Sequence, residues 1–275
     1  MKKVKVILSF ILALCMVFTL ASCGGEKDKT DDNKKPSTTA SAETTTKAPE
    51  EMTMADVIAL INAETAKASK GDYTLERRCA YTEGGNPTVG EYTDLINSVI
   101  PMFGGYRDLD HVVADFIGLE DIDATVVGGK STTNIKENYL MKATVFTEAD
   151  VEKYVANGNK HTFKIVNCTN PERDEKNAMS RVTNDILTKQ DVSDKIKSEG
   201  VDNIAKVGET SIVNYKEIWI EAEIVDGKIT SLKVTYTFDA TLDLKLDMSS
   251  YYIGKYDVQG KGEAMTTIVY SDVKY

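Results

Sequence analysis

The sequence predicts an α+β fold, with a strongly curved antiparallel sheet and several short helices packed on one face. Two observations favour this class. Segments with helical apolar spacing occupy the first part of the globular region, and almost strict apolar alternation follows Ser211. A third observation concerns organisation: no linker-like stretch follows Met52, so residues 53–275 are predicted to form a single α+β globular domain.

The first residues have the order of a secretory signal. Three lysines come first, an apolar run from Val6 to Leu20 follows, and two small residues precede Cys23. The run is shorter than the stretch of about 20 apolar residues that a membrane-spanning helix needs. Residues 1–22 are therefore predicted to be a signal peptide.

The end of this segment, Leu20-Ala21-Ser22-Cys23, resembles the bacterial lipobox. The resemblance implies that residues 1–22 are a lipoprotein signal peptide and that Cys23 begins the mature protein. Its sulfur would carry a diacylglycerol and its amino group an acyl chain such as palmitate. Several chains anchor a protein stably, whereas a single chain does not. The implied location is the outer face of the cell membrane, with the membrane as a partner through the lipid on Cys23.

Residues 23–52 are predicted to be the lipidated cysteine and a disordered tether. Between Gly24 and Glu51 the only hydrophobic residues are three alanines. Such a stretch buries too little apolar surface to offset the entropy lost on ordering. As a flexible coil it would hold the domain roughly 30 Å from the membrane.

The charge of the chain argues against two classes of partner. The net charge is −10, and the signal removes three lysines and no acidic residue, so the mature chain is still more acidic. Nucleic-acid binding depends on neutralising phosphates with basic residues, which an acidic chain does not favour. Electrostatic binding to anionic lipid is disfavoured for the same reason.

Two cysteines, Cys79 and Cys168, remain after Cys15 leaves with the signal and Cys23 is lipidated. An extracytoplasmic compartment permits disulfides, so these two are a candidate pair. A bridge would close a loop of about 90 residues and add roughly 4 kcal/mol in the chain-entropy model. Cys168 ends a strand-like run while Cys79 lies in the middle of another, so two free thiols are the open alternative.

A helix-start pattern, apolar-Thr-x-x-Asp-Val, occurs at Thr53, Thr147 and Thr188. A threonine at the N-cap accepts the backbone N–H three residues on, and the aspartate at that position bonds back to the N-cap. The apolar residues on either side form a hydrophobic staple. Three helices are therefore predicted to begin after these threonines, the first running to about Ser69.

Other local patterns place the elements between these helices. They predict a strand at Tyr73–Tyr81, a short helix stopped by Pro101, a helix ended by Gly118, and a turn at Asn157-Gly158 that leads into a strand. Alternation between Tyr139 and Val145 predicts one further strand.

The last third of the chain predicts a long hairpin. Apolar residues are even-numbered both before Val225 and from Leu232 to Met248. Pairing even with even residues needs a loop of odd length, so Val225-Asp226-Gly227 is predicted as a three-residue loop with Gly227 left-handed. Ile220 would then lie opposite Leu232. The alternation up to Met248 would extend about 55 Å, so this segment is expected to bend or divide near Asp239.

One glycine-rich stretch, Ala124–Ser131, satisfies a loose phosphate-binding pattern. Phosphate binding needs such a loop between a strand and a helix, with backbone N–H groups at the helix start. The residues that follow alternate like a strand instead. A β-turn is therefore the prediction, and no cofactor site is expected.

Histidines and acidic residues give no convincing catalytic or metal site. Asp108 precedes a predicted helix and is better explained as its N-cap than as a ligand beside His111. His161 is the only other histidine, which is too few for a zinc site or a Ser-His-Asp triad.

Trp219, the only tryptophan, is the candidate ligand contact. Because side chains alternate along a strand, Trp219 and the neighbouring isoleucines lie on different faces. Trp219 shares its face with Glu217, Glu221 and Glu223. The predicted loop would make Lys233 its partner on the next strand. An indole among carboxylates and a lysine suits stacking on a sugar ring or contact with a partner. The alternative is that a helix covers this face and the indole packs beneath it.

As a whole, the chain resembles uncharacterised lipobox-anchored surface lipoproteins of Gram-positive bacteria, through the lipobox, the Thr-x-x-Asp-Val helix starts and the Asp226–Ile229 hairpin. The predicted curved sheet is also similar to half-barrel lipoproteins that carry lipid, an analogy at the level of fold. The expected function is to bind a small molecule, glycan, lipid or protein without catalysis. The alternatives are an exported hydrolase that uses Glu221 and Glu223, and a structural envelope component.

Overall fold

The computed structural model describes residues 52–99, 101, 107–198, 202, 205–247 and 255–275. The predicted signal peptide, Cys23 and the tether up to residue 51 lie outside the described residues. Within these ranges, no helix combines the length and the apolar character needed to cross a membrane.

The described chain forms five α-helices and ten strands. The helices are α1 (Met54–Ala68), α2 (Thr93–Val99), α3 (Leu109–Ile117), α4 (Ala178–Val182) and α5 (Lys189–Ser198). The strands are β1 (Asp72–Tyr81), β2 (Ile122–Val127), β3 (Lys130–Ser131), β4 (Val151–Asn157), β5 (Lys160–Ile165), β6 (Cys168–Thr169), β7 (Ala205–Val207), β8 (Ile212–Val225), β9 (Lys228–Asp247) and β10 (Lys255–Lys274). Single 3-10 turns lie at Gly90–Tyr92, Glu137–Tyr139 and Glu148–Asp150.

All ten strands belong to one antiparallel sheet in the order β3-β2-β1-β10-β9-β8-β5-β4. Short β6 also pairs with β8, and β7 pairs with β9. The sheet does not close, since β3 and β4 stand at its two ends. The fold is thus mostly antiparallel sheet with a few short helices, as the sequence predicts.

Two of the three predicted helix starts are confirmed. The Thr53 hydroxyl accepts the Asp56 backbone N–H at 3.2 Å, and the Asp56 carboxylate accepts the Thr53 N–H at 3.1 Å. Thr188 and Asp191 exchange the same pair of bonds, at 3.1 and 2.7 Å, before α5. In both, the cap satisfies N–H groups that the first helical turn leaves free.

The third predicted helix, after Thr147, is wrong. The capping box with Asp150 forms, with 2.8 Å from the Thr147 N–H to the carboxylate, but it closes only the 3-10 turn. Val151 then begins β4. The β-branched and aromatic side chains of this segment suit a strand, and β5 offers an edge with which it can pair. Sheet pairing overrides the local cap signal.

The strand predicted between Tyr139 and Val145 is also wrong. Several of its backbone N–H groups bond to partners that are not part of a β-ladder. The Met141 N–H donates to the Tyr73 hydroxyl at 3.0 Å, and the Thr144 N–H to the Thr65 hydroxyl at 3.0 Å. The segment therefore lies across the core without pairing as a strand.

The hydrophobic core lies on one face of the sheet. Even-numbered residues of the β8–β9 hairpin face it, as predicted, and are almost fully buried: Ile218, Ile220, Ala222, Ile224, Leu232, Val234, Tyr236 and Phe238. Val57 and Ile61 of α1 and Met179 of α4 are buried in the same cluster. We call this side of the sheet the core face and the other side the outer face.

The hairpin itself differs from the prediction. The loop has two residues, Asp226 and Gly227, both left-handed with φ of 51° and 73°, and Val225 pairs with Lys228. A bulge at Thr230 then restores the pairing of even with even residues. The left-handed Gly227 is confirmed, but the three-residue loop is wrong, and Ile220 lies opposite Val234 instead of Leu232.

The sequence predicted that this segment bends or divides near Asp239; strand β9 runs unbroken from Lys228 to Asp247, so it does not divide. Ladders hold it on both edges, with β10 on one side and β8 and β7 on the other. The irregularity lies in β8 instead, where Glu217 is left-handed with φ of 46° and the register shifts between Lys216 and Trp219. This bulge brings Tyr215, an odd-numbered residue, onto the core face.

The candidate disulfide between Cys79 and Cys168 does not form in the structure, where both are free thiols. Cys79 lies on β1 and Cys168 on β6, with three strands between them along the sheet. At the usual strand spacing this is on the order of 19 Å, whereas a disulfide needs Cα atoms within about 7 Å. Burial raises the pKa of both thiols, which keeps them protonated.

Candidate functional site

Trp219 lies on the outer face in a row of directly paired residues that crosses six strands. Its neighbours are Lys164 on β5 and Thr235 on β9. The row consists of Lys153, Lys164, Trp219, Thr235, Thr267 and Arg78. The predicted neighbour Lys233 is wrong, because the observed register places it opposite Glu221.

The indole of Trp219 is half-buried among charged groups. Its Nε1 donates to the Glu217 carboxylate at 3.3 Å, and the Lys164 ammonium lies 5.8 Å from its ring centroid. Lys164 in turn pairs with Glu217 at 3.2 Å and Glu152 at 3.5 Å, and the bond to Glu217 raises the pKa of Lys164. The predicted surroundings of carboxylates and a lysine are present, although Lys164 is the lysine concerned.

The next row along the strands passes through Glu221. Its carboxylate accepts from the Lys233 ammonium at 2.8 Å, and Val269 and Glu76 continue the row on β10 and β1. Glu223 lies on the same face two residues further along β8. Both carboxylates stand on an open sheet face, and Glu221 is already ion-paired, so this geometry does not supply the deep cleft that a hydrolase would need.

The residues of both rows are exposed or half-buried. An antiparallel sheet commonly leaves one face to water, with polar residues alternating against the core set. The outer face therefore presents threonines, paired charges and one indole on a continuous hydrogen-bonded platform.

Arg77 is a buried residue that the sequence reasoning missed. It lies on the core face of β1 and is 1% exposed. Its Nε donates to Asp185 at 2.8 Å, its Nη1 donates to the Gly118 carbonyl at 2.7 Å, and its guanidinium lies 4.3 Å from the centroid of the Tyr139 ring. Burial alone would lower the pKa of Arg77, but the attraction of Asp185 outweighs it and raises the pKa.

Buried tyrosines complete this network. The Tyr236 hydroxyl donates to the Asp185 carbonyl at 2.8 Å, and the Tyr270 hydroxyl to the Tyr139 carbonyl at 3.1 Å. Burial raises the pKa of both phenols, so they stay neutral donors. Arg77 and these tyrosines fix three irregular segments on the core face. Arg77 lies two residues after the apolar Leu75 and therefore on the same face of the strand, which was the signal in the sequence that it is buried.

A cleft of about 870 Å³ lies next to the segments that this network holds. Its walls are the β2–β3 turn, the chain between Thr133 and Leu140, and the side chains of Arg173 and Asn184. Neither Trp219 nor the two candidate carboxylates line it. Sequence reasoning missed the cleft because three distant parts of the chain build it.

The remaining predicted motifs have structural roles. The stretch Ala124–Ser131 forms β2, a turn at Gly128-Gly129 and β3, so the β-turn is confirmed. Asp108 caps α3 by accepting the His111 N–H at 3.0 Å. Burial of Asp108 acts to raise its pKa, but bonds from Arg107 and His111 outweigh burial and lower it.

His161 is buried on the core face of β5. Its Nδ1 bonds the Tyr154 hydroxyl at 2.8 Å, and its Nε2 has no hydrogen-bond partner among the described residues. Burial lowers the pKa of His161, which favours the neutral ring. Across the described ranges, no three His, Cys, Asp or Glu side chains converge as a metal site would require.

Comparison of the chain with protein-family models, with characterised proteins and with solved structures finds no match.

Proposed function

We propose that the protein is a membrane-anchored extracytoplasmic lipoprotein that binds a ligand or partner without catalysis. The lipobox-like sequence before Cys23, the polar stretch up to residue 52 and the acidic composition support this proposal. Lipid on Cys23 would hold the protein on the outer face of the membrane, and the tether would let the domain reach away from it.

The observation that carries the binding role is the half-buried indole of Trp219 on the outer face. Trp is favoured at contact surfaces because it joins a large apolar area to a polar N–H, and the hydrogen bond to Glu217 fixes its ring. The threonine hydroxyls of the same row offer hydrogen bonds to a ligand laid across the strands. A glycan or an extended partner fits this arrangement best.

The proposal includes a strongly curved sheet with its helices on one side. Bulges at Glu217 and Thr230 support it, because a bulge bends its strand and increases the local twist. The length of β9 and β10, 20 residues each, supports it as well, since long twisted strands coil when they pair. Curvature would make one face concave and set the shape of the surface around Trp219.

Native mass spectrometry of the full chain, extracted in mild detergent from its host membrane, tests the binding role. A copurifying molecule should accompany the protein, should be lost in Trp219→Ala and should remain in Ile212→Ala. Ile212 is the matched control, an apolar residue of β8 that is 39% exposed and lies about 23 Å along the strand from Trp219.

Tryptophan fluorescence gives an independent check, because Trp219 is the sole tryptophan. Iodide should quench its emission in the free protein, and adding the host envelope extract should protect it. If nothing copurifies and no extract protects Trp219, the binding role is refuted. Turnover of an envelope polymer that Glu221→Gln abolishes would favour the hydrolase alternative instead.

A further inference from the structure

The cleft beside the β2–β3 turn has a wall that is held rigidly. The Gly129 N–H donates to the Gly71 carbonyl at 2.8 Å, and the Gly128 N–H donates to the Asp72 carboxylate at 2.8 Å. Gly129 is left-handed with φ of 76°, and a Cβ there would lie 2.7 Å from the Ser69 carbonyl oxygen, so only glycine fits. This fixed turn positions Lys130 at the edge of the cleft.

The lining also includes a fixed guanidinium, that of Arg173. Arg173 Nη2 contacts both oxygens of Asp191, at 3.0 and 3.1 Å, and also donates to the Ile186 carbonyl at 3.0 Å. Its Nη1 makes one 3.4 Å contact with the Asn184 carbonyl, which leaves a second Nη1 hydrogen for a ligand. The side chain is 44% exposed although its orientation is fixed.

Basic side chains outnumber acidic ones among the lining residues, although Asp191, outside the lining, pairs with Arg173. Lys130 and Arg173 are cationic and Glu137 is the one acidic residue among the lining residues, in a protein of net charge −10. Lys130 is exposed and forms no ion pair with any described residue. Its ammonium is therefore free to meet an anion.

Uncharged groups complete the lining. Ser131, Thr133 and Asn138 supply hydroxyl and amide groups, and half-buried Ile135 and Leu140 supply apolar surface. A sugar carrying an acidic group matches this set, because it joins an anion, several hydroxyls and an apolar ring face. The volume of about 870 Å³ lies in the range of small-molecule sites.

We propose that this cleft binds a small polyhydroxylated anion, with the acidic group held between Lys130 and Arg173. The site shares no residue with the outer-face row of Trp219, so this proposal can be tested independently of the function proposed above. The ligand chemistry is that of a sugar acid or a sugar phosphate.

Isothermal titration of the full chain with D-glucuronate and with glucose 6-phosphate tests the site. At least one of these anions should bind at millimolar concentration or below, and uncharged glucose should bind at least tenfold more weakly. Glucuronate alone would indicate a carboxylate ligand and glucose 6-phosphate alone a phosphate ligand. Affinity should fall as salt is added, because salt screens the two cations.

Variants separate this site from adventitious anion binding. Lys130→Gln should weaken binding about tenfold, whereas Lys153→Gln, the same change on exposed β4, should leave it unchanged, as should Trp219→Ala. Arg173→Lys should also weaken binding, since lysine lacks the fixed fork of donors; a thermal melt checks its folding. The proposal is overturned if neither anion binds, or if Lys130→Gln and Lys153→Gln bind equally well.

Discussion

Replacing Arg77 by methionine should destabilise the protein strongly, because it strips a buried network of its cation. The substitution keeps most of the side-chain length but leaves the Asp185 carboxylate, whose side chain is 9% exposed, without its partner 2.8 Å away. The carbonyls of Gly118 and Glu120 also lose the Nη1 donor, at 2.7 and 3.2 Å. Breaking a buried pair by removing one partner costs about 3–5 kcal/mol, and we expect a loss of about 4 kcal/mol.

The neighbouring arginine gives a matched control. Arg78 points to the outer face, its side chain is 44% exposed, and it pairs with Asp123 at 2.6 Å. Exposed ion pairs contribute little to stability, so Arg78→Met should lower the free energy of unfolding far less than Arg77→Met. Arg77 and Arg78 are adjacent on β1, but the first substitution should destabilise the protein strongly and the second only slightly.

Urea unfolding followed by circular dichroism measures both costs. The Arg77→Met midpoint should fall far below that of Arg78→Met, with a similar slope if unfolding stays two-state. A double variant, Arg77→Met with Asp185→Leu, should recover much of the loss, because no charge is then left buried alone. Equal midpoints for the two single variants would refute the reasoning.

Three further predictions concern other parts of the chain. Cys23→Ser should abolish labelling by a fatty-acid probe and leave the precursor uncleaved, and persistent labelling would contradict the lipid anchor. Gly227→Val should lower stability by more than about 1 kcal/mol, because a β-branched residue is strained at φ of 73°; an unchanged thermal melt would contradict this. The pKa of His161 lies below its ordinary value of 6.5. As pH falls below 6.5 the unfolded state therefore takes up a proton that the native state resists, and stability declines until the native ring also protonates. Unfolding at pH 7.5 and 5.5 should show this decline, and His161→Gln should reduce it.

Sequence patterns correctly predicted features that a few neighbouring residues determine, such as helix caps. The caps at Thr53 and Thr188 form because a threonine, an aspartate and two apolar neighbours suffice for them. The same pattern at Thr147 closes only a 3-10 turn, because β5 draws the following residues into the sheet. Local rules predict how a helix can begin, and only tertiary pairing decides whether it continues.

The alternation of apolar residues also predicts only part of the structure. It places the even-numbered residues of the β8–β9 hairpin on the core face, which is confirmed, but it does not locate the bulges at Glu217 and Thr230. The two-residue loop and the bulge at Thr230 each shift the register by one residue, so the partner of Trp219 moved by two positions while its face stayed the same. Trp219 is therefore on the predicted face but beside Thr235 and Lys164. The bulge at Glu217 lies beyond Trp219 and makes odd-numbered Tyr215 a core residue.

The candidate sites differ in how far the sequence could reveal them. The position of Trp219 on the outer face follows from alternation within one strand, which the sequence displays directly, whereas its neighbours in the row depend on the register between strands. The cleft depends on Lys130 and Arg173 coming to line the same cavity, which no spacing in the chain encodes. Arg77 lies between these cases, since its spacing of two residues from Leu75 is visible in the sequence although it was not used, whereas no pattern identifies Asp185 as its partner.

The pairing of β1 with β10 sets the order in which the molecule can assemble. The ladder joins Asp72 to Lys274, so the first strand is bonded to the last residues of the chain. Strand β10 also separates β1 from β9, and without it the sheet falls into two parts. A chain still emerging from a ribosome lacks this central strand and cannot complete its sheet. Contacts of such long range make folding slow, so the complete sheet should form only after β10 has been synthesised.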